Sequence, residues 1–184
     1  GAGKDGYDWT AADAFVEFGV RNHMEMAGHT LVWHSQTPNW VFEGTFVPPG
    51  AGGAPKTPAA DNTAPPPPPG NPGARRGPGG FPGPRPFDLN GPRATREELL
   101  ERMRDHIHTV MGRYRGKIKV WDVVNEAISD GGDDALRKTP WSVIIGPDFI
   151  EKAFQFAHEA DPDAILRYND YGLENPAKRA KLIK

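Results

Sequence analysis

The chain has 184 residues, of which 37% are hydrophobic, and a formal net charge of −2 at pH 7. That length is enough for one modest domain with a small core, and the near-zero charge gives no electrostatic basis for binding nucleic acid or an anionic membrane surface. The absence of cysteine excludes disulfides and thiolate zinc sites, and no apolar run approaches the roughly 18 residues of a membrane-spanning helix.

Composition divides the chain into residues 1–43, 44–92 and 93–184. Residues 44–92 hold 15 of the 20 prolines and 11 of the 22 glycines. Such a segment lacks the apolar residues that could offset the entropy lost on ordering, and its prolines favour extended conformations. We therefore predict a disordered insertion that separates two segments of one discontinuous domain. A proline-rich docking site for a partner, centred on residues 65–69, is the alternative.

The two outer segments alternate helical and strand patterns. In chain order we predict a helix from residue 10, a strand at 27–34, a helix at 94–114, a strand at 118–125, a helix at 149–160, a strand at 164–168 and a helix from residue 176. In the first helix, Thr10 is the predicted N-cap, and Phe15, Phe18 and Met24 recur at near-helical spacing. This alternation predicts an α/β fold with a parallel sheet or barrel.

Polar and aromatic residues follow each predicted strand. The first strand ends in Trp-His-Ser-Gln at 33–36, the second in Asn-Glu at 125–126, and the third in Asn-Asp-Tyr at 169–171. Because functional residues of parallel α/β folds gather at the carboxyl ends of strands, we expect these side chains to share one cleft. Together they provide a carboxyl group, amides and aromatic rings, which are the groups that a sugar-cleaving site uses.

Three sequence motifs lie at these strand ends: GHTLVWHSQTPNW at 28–40, WDVVNEA at 121–127 and YNDY at 168–171. In this order and at these separations they resemble glycoside hydrolase family 10, the endo-β-1,4-xylanases. The resemblance implies a (β/α)8 TIM barrel, of which this chain holds about strands 3–5 with their flanking helices. It also implies hydrolysis of the β-1,4-xylosidic bonds of xylan or xylo-oligosaccharides with retention of configuration, no cofactor, and an extracellular or periplasmic location, although no signal-peptide pattern is visible in the chain.

The second and third motifs contain three of the site residues that the resemblance implies. Glu126 is the general acid/base, Asn125 binds the sugar 2-hydroxyl, and Tyr171 stacks on the sugar of the leaving group. The structural alternatives are a buried Glu126 that pairs with an arginine, a strand-end turn amide for Asn125, and a packing role for Tyr171. Asp122 lies on the same strand face as Glu126 and is expected to brace its neighbours rather than react.

The first motif contains the other three site residues. By resemblance, His29 and Trp33 line the subsite next to the scissile bond, and Gln36 binds a sugar hydroxyl. The alternatives are a core histidine, a core tryptophan and a loop amide. His34 falls on the opposite strand parity from His29, so the two are poor joint metal ligands, and we predict no metal site.

The chain departs from the family pattern in two ways. It begins after the family's first two strands and ends soon after the fifth, so the glutamate nucleophile is expected outside it. Since retention requires two carboxyl groups about 5–5.5 Å apart, we expect a fragment that is inactive alone. The insertion at 44–92, in a loop on the catalytic face, is the second departure. The functional alternatives are a related barrel cellulase or mannanase, and a non-catalytic fragment that acts through its proline-rich segment.

Overall fold

The computed structural model describes residues 6–44, 87 and 93–183. In chain order its elements are α1 (Thr10–Arg21), β1 (Ala27–Trp33), a short 3₁₀ helix (Asn39–Val41), α2 (Arg96–Tyr114), β2 (Val120–Asn125), α3 (Pro140–Ile144), α4 (Phe149–Ala160), β3 (Ile165–Asn169) and α5 (Pro176–Leu182). The predicted alternation is confirmed, whereas the 3₁₀ helix and α3 were not predicted. None of the described helices is long and apolar enough to cross a membrane. Most of the predicted insertion lies outside the described residues.

The three strands form one parallel sheet in the order β1-β2-β3. Parallel neighbours require a crossover, and here helices provide it between successive strands. Gly28 of β1 lies directly beside the indole of Trp121 in β2, and a Cβ atom at position 28 would come within 2.1 Å of that ring. Glycine is therefore required where β1 approaches the central strand.

The ladder contains one irregularity in each strand pair. β1 has two residues between His29 and Val32, opposite a single residue of β2, and β2 has one residue between Asp122 and Val124 that has no counterpart in β3. As a result, 7 residues of β1, 6 of β2 and 5 of β3 span the same ladder. The last residues, Trp33, Asn125 and Asn169, are nevertheless in register at the carboxyl end.

Helix α2 begins with a capping box. The Thr95 hydroxyl accepts from the Glu98 N–H at 3.2 Å, and the Glu98 carboxylate accepts from the Thr95 N–H at 2.7 Å, so two of the unpaired N–H groups of the first turn are satisfied. The buried face of α2 packs beside α4 and against the sheet. It consists of Leu99, Met103, Ile107, Met111 and Tyr114.

Helix α1 begins one residue earlier than the predicted N-cap at Thr10 implies. Thr10 is the first helical residue, and Trp9 occupies the N-cap position without a side-chain cap. The carboxylate of Asp8 instead accepts from the Thr10 N–H at 3.0 Å. The prediction of Thr10 as N-cap is therefore wrong, because a carboxylate two residues earlier pairs with its N–H.

The apolar side chains of α1 are also placed differently from the sequence pattern. Phe15 and Phe18 are 61% and 53% exposed, and Met24 lies beyond the helix end. The residues that α1 buries are Val16 and Gly19, and Gly19 lies against the Met26 side chain. Within the described chain, α1 thus turns its smaller residues toward the core.

Candidate active site

Glu126 follows the central strand β2 directly. Its φ of 54° lies in the left-handed region, which residues other than glycine seldom adopt. Its N–H donates to the Asn169 carbonyl at 2.9 Å, and its carbonyl accepts from Arg137 Nε at 3.1 Å. Its partly buried carboxylate accepts from Trp33 Nε1 at 2.9 Å. A neutral indole donor therefore holds this carboxyl group at the carboxyl end of the sheet.

His29 lies beside Trp33 but four residues earlier in β1, in register with Asp122 of β2. Its Nδ1 is 3.0 Å from Asp122 Oδ2, and its ring centroid is 6.3 Å from that of Trp33. Thr30 Oγ1 donates to the Asp122 carbonyl at 2.9 Å. Asp122 therefore fixes one ring nitrogen of a half-exposed imidazole.

Asn125 is only 3% exposed. Its side-chain amide contacts that of Asn169 at 2.7 Å and so links the ends of β2 and β3. A sugar hydroxyl that binds Asn125 would have to share this amide with Asn169.

The main chain after Glu126 is held by a partly buried tyrosine. Tyr168 Oη accepts from the N–H groups of Ala127 at 2.9 Å and Ile128 at 3.0 Å, and it donates to Asp170. Burial, together with the hydrogen bond to Asp170, raises the pKa of the Tyr168 phenol well above its usual value. The phenol therefore stays protonated and keeps its donor to Asp170.

Tyr171 lies within a cluster of charges. Its hydroxyl donates to Asp130 and accepts from Arg137 at 3.0 Å, while Lys178 Nζ lies 3.8 Å from its ring centroid. The Lys178 side chain is 4% exposed and its Nζ is 2.8 Å from both Asp130 and Asp170. One face of the half-exposed Tyr171 ring is thus occupied by an ammonium group, so a sugar would stack on the other.

Asp130 accepts hydrogen bonds from both cations of this cluster. Hydrogen bonds from Lys178, then Tyr171 and Arg137, hold the pKa of its carboxyl far below the usual range, although partial desolvation opposes the shift. Its ionised form accepts from all three groups at once. The cluster is therefore charge-paired at any pH near neutrality.

Gln36 and His34 lie in the turn after β1. Gln36 is exposed to solvent, and its φ of 63° lies in the left-handed region. His34 is half-buried with its ring 6.3 Å from that of Trp33, and burial followed by the charge of Arg137 lowers its pKa. Across residues 6–44, 87 and 93–183, no three His, Asp or Glu side chains form a group able to hold a metal ion.

Comparison with known proteins identifies the family. The model of glycosyl hydrolase family 10 matches residues 2–50 and 86–184. The chain belongs to this family. The match is interrupted at residues 51–85, within the predicted insertion.

The relatives include a β-1,4-xylanase of Dictyoglomus thermophilum, 40% identical over 97% of this chain and 36% of that protein. An endo-1,4-β-xylanase A of Xylanibacter ruminicola is 42% identical over 98% of this chain and 37% of its own length. Among solved structures, a family 10 endoxylanase from a sugarcane soil metagenome gives a TM-score of 0.68 at 40% identity, covering 96% of this chain and 38% of the other. This chain thus spans little more than a third of these relatives' length.

Family membership confirms the predicted fold class, a (β/α)8 barrel, of which the structure describes three parallel strands. The structure places Glu126 and Trp33 together at the carboxyl end of the sheet, and His29 lies beside Trp33 but four residues earlier in β1. Sequence reasoning missed Arg137 and Lys178. An isolated antiparallel bridge between residues 128 and 136 returns the loop toward Glu126, and the loop sequence contains no periodic pattern that would reveal this.

Proposed function

We propose that this segment contributes the acid/base part of the active site of a secreted endo-1,4-β-xylanase. The observation that supports it most directly is the carboxyl group of Glu126, held by the Trp33 indole at 2.9 Å at the end of the central strand. A carboxyl group that only stabilises the fold would be expected to pair with a cation. Here the donor is neutral, so the group remains available for proton transfer.

The proposed reaction has two steps. A carboxylate from a strand that completes the barrel attacks the anomeric carbon, while protonated Glu126 donates its proton to the departing glycosidic oxygen. Glu126, now ionised, then takes a proton from the water that hydrolyses the glycosyl-enzyme ester. Hydrolysis releases the sugar, frees the nucleophile and returns the proton to Glu126, so the residue is ready for the next cycle.

The neighbouring side chains would bind the sugars. His29 and Trp33 would line the subsite next to the scissile bond, Asn125 and Gln36 would bind hydroxyl groups, and the open face of Tyr171 would stack on the leaving-group sugar. Aromatic faces beside polar groups are the usual composition of a sugar cleft. A xylan chain is too large to enter a cell, which supports action outside the cytoplasm.

Relatives support xylan as the substrate class. The proteins of D. thermophilum and X. ruminicola are named as xylanases, and a mutant protein 33% identical to this chain, with a TM-score of 0.69, was solved with xylotriose. The second candidate, a cellulase or mannanase, has an Asn-Glu strand end in common with the xylanases. Comparing hydrolysis of xylan, cellulose and mannan distinguishes them.

The test requires a complete barrel. Residues 1–184 can replace the matching segment of the X. ruminicola relative, and we refer to this protein as the completed barrel. It is expected to hydrolyse xylan and to leave cellulose and mannan largely intact. Glu126→Ala should lower xylan hydrolysis by about 10²–10⁴-fold, because the glycosidic oxygen is a poor leaving group without protonation.

An aryl xyloside with an acidic phenol separates the two roles of Glu126. Its phenol leaves with little protonation, so the Glu126→Ala variant should form the glycosyl-enzyme but hydrolyse it slowly. Azide should restore turnover and give a glycosyl azide of retained configuration. Glu151→Ala, an exposed change on α4, is the control. Equal losses on both substrates without azide rescue would make Glu126 structural, and an inverted azide product would make it the nucleophile.

A further inference from the structure

The side chain of Arg137 contacts the acid/base residue at that residue's main-chain carbonyl and not at its carboxyl group. Arg137 Nε donates to the Glu126 carbonyl at 3.1 Å, and one terminal NH2 group of the same guanidinium donates to Asp130 at 2.9 Å and to Tyr171 Oη at 3.0 Å. One planar group thus joins the peptide of Glu126 to the ring that borders the leaving-group side. The side chain is 25% exposed, so most of it is enclosed by this cluster.

The Glu126 main chain requires support of this kind. Its φ of 54° is unfavourable for a residue with a Cβ atom, and such a conformation persists only where its surroundings impose it. The Glu126 N–H is held by Asn169 at 2.9 Å and the next N–H by Tyr168 at 2.9 Å. The carbonyl of Glu126 is held by Arg137.

We propose that Arg137 is a positioning residue that fixes the peptide of Glu126 relative to the Tyr171 ring, and through it the aim of the Glu126 carboxyl at the leaving oxygen. This inference rests on the proposed function. It goes beyond that proposal by making the direction in which Glu126 delivers its proton depend on a residue that contacts Glu126 only at its main-chain carbonyl. A guanidinium suits this role because its rigid fork can donate to a carbonyl, a carboxylate and a phenol simultaneously.

Two changes at position 137 test the proposal in the completed barrel. Arg137→Met keeps the aliphatic stem and removes every donor, whereas Arg137→Lys keeps the charge with one nitrogen. Arg96→Met is the matched control, because the Arg96 guanidinium also joins a backbone carbonyl, that of Ile145, to a carboxylate, that of Asp148 at 2.9 Å. Both changes to methionine therefore remove the same kinds of contact.

The deciding measurement is kcat/KM for two aryl β-xylobiosides, which reports the step that forms the glycosyl-enzyme. With a weakly acidic phenol, Arg137→Met should lower kcat/KM by about 10- to 100-fold. This is part of the 10²–10⁴-fold rate increase that general acid catalysis contributes. With a strongly acidic phenol the loss should stay below about threefold. Arg137→Lys should fall between these values, and Arg96→Met should affect both substrates equally.

Two further measurements separate positioning from general stability and from sugar stacking. Amide exchange at Ala127 and Ile128 should accelerate in Arg137→Met more than in Arg96→Met. Tyr171→Phe, which keeps the ring and removes the hydroxyl contacts to Arg137 and Asp130, should change the KM for xylan without changing the preference between phenols.

The possible failures are distinct. If the completed barrel hydrolyses xylan but Arg137→Met lowers kcat/KM equally for both phenols, Arg137 is not a positioning residue and the proposed function stands. If the completed barrel is inactive on xylan, the proposed function fails. Amide exchange then still decides whether Arg137 fixes the Glu126 peptide: equal rates in the two methionine variants would show that it does not.

Discussion

Helices α1 and α4 are both 12 residues long and amphipathic, yet they are buried very differently. Helix α4 turns Phe149, Ala153 and Ala157 into the core, and both alanines are fully buried. Helix α1 buries Val16 and Gly19 while its two phenylalanines remain more than half exposed. Similar patterns therefore lead to one enclosed helix and one that is largely open.

The difference lies in the neighbours. Helix α4 contacts α2, β2 and β3, so partners surround its apolar stripe. Helix α1 precedes β1, which lies at the end of the described strand order. In a complete barrel a further strand and helix would lie beside it. Local sequence thus determines that a helix forms, whereas burial depends on which elements lie next to it.

The largest effect is expected at the centre of α4. Ala153→Glu would place an unpaired charge at a fully buried position, and we expect it to cost about 4 kcal/mol or more and to prevent folding of the completed barrel. Urea unfolding tests this, because the variant should show no cooperative transition where the unchanged protein does. Glu151→Lys, an exposed charge change in the same helix, should stay within about 0.5 kcal/mol. Similar costs for the two variants would show that α4 is not enclosed.

The effect of a substitution at Phe18 in α1 should depend on whether the rest of the barrel is present. In the completed barrel, where new neighbours cover it, Phe18→Ser should cost about 3 kcal/mol. The 184-residue chain alone is expected to be poorly soluble or molten, because its sheet edges and apolar α1 face lack partners among the described residues. There the same change should raise solubility and lower binding of a hydrophobic dye. A sharp near-ultraviolet circular dichroism spectrum and a cooperative thermal transition of the unchanged chain would contradict this view.

The smallest effect is expected from residues 45–86. Residues on the two sides of this segment already contact each other, because the Ala94 N–H donates to the Phe42 carbonyl at 2.8 Å and the Phe87 ring lies 5.5 Å from that of Phe42. Loop-closure entropy varies slowly with length, by about 0.6 kcal/mol per doubling. Replacing the segment by a short Gly-Ser linker in the completed barrel should therefore shift Tm by only a few degrees. Loss of folding would show that the segment packs against the barrel.

The sequence predicted the elements well because their signals are local. Periodic apolar residues indicated α2, and strand-end motifs predicted that Glu126 lies close to the end of the first strand. The exposure of Phe18 depends on elements beyond the helix itself, so a local pattern could not reveal it. The strand period of two also fails in β2, where Val123 and Val124 are both buried, because the ladder irregularity interrupts the alternation.

The contacts around Glu126 were harder to predict. Its left-handed φ is imposed by partners 11 and 43 residues away in the chain, Arg137 and Asn169. Such long-range hydrogen bonds leave no periodic trace in the sequence. Lys178 was equally hidden, because a lysine is expected at the surface and is buried here only through its two carboxylate partners.

The stepwise strand lengths of 7, 6 and 5 residues have a consequence for curvature. An extra residue on one side of a strand pair bends the sheet and increases its twist. Two such bends in succession give a sheet that curls rather than lying flat, and curling is what allows parallel strands to close into a cylinder. The two register irregularities therefore favour the curvature that closure requires, independently of the strands that would complete the barrel.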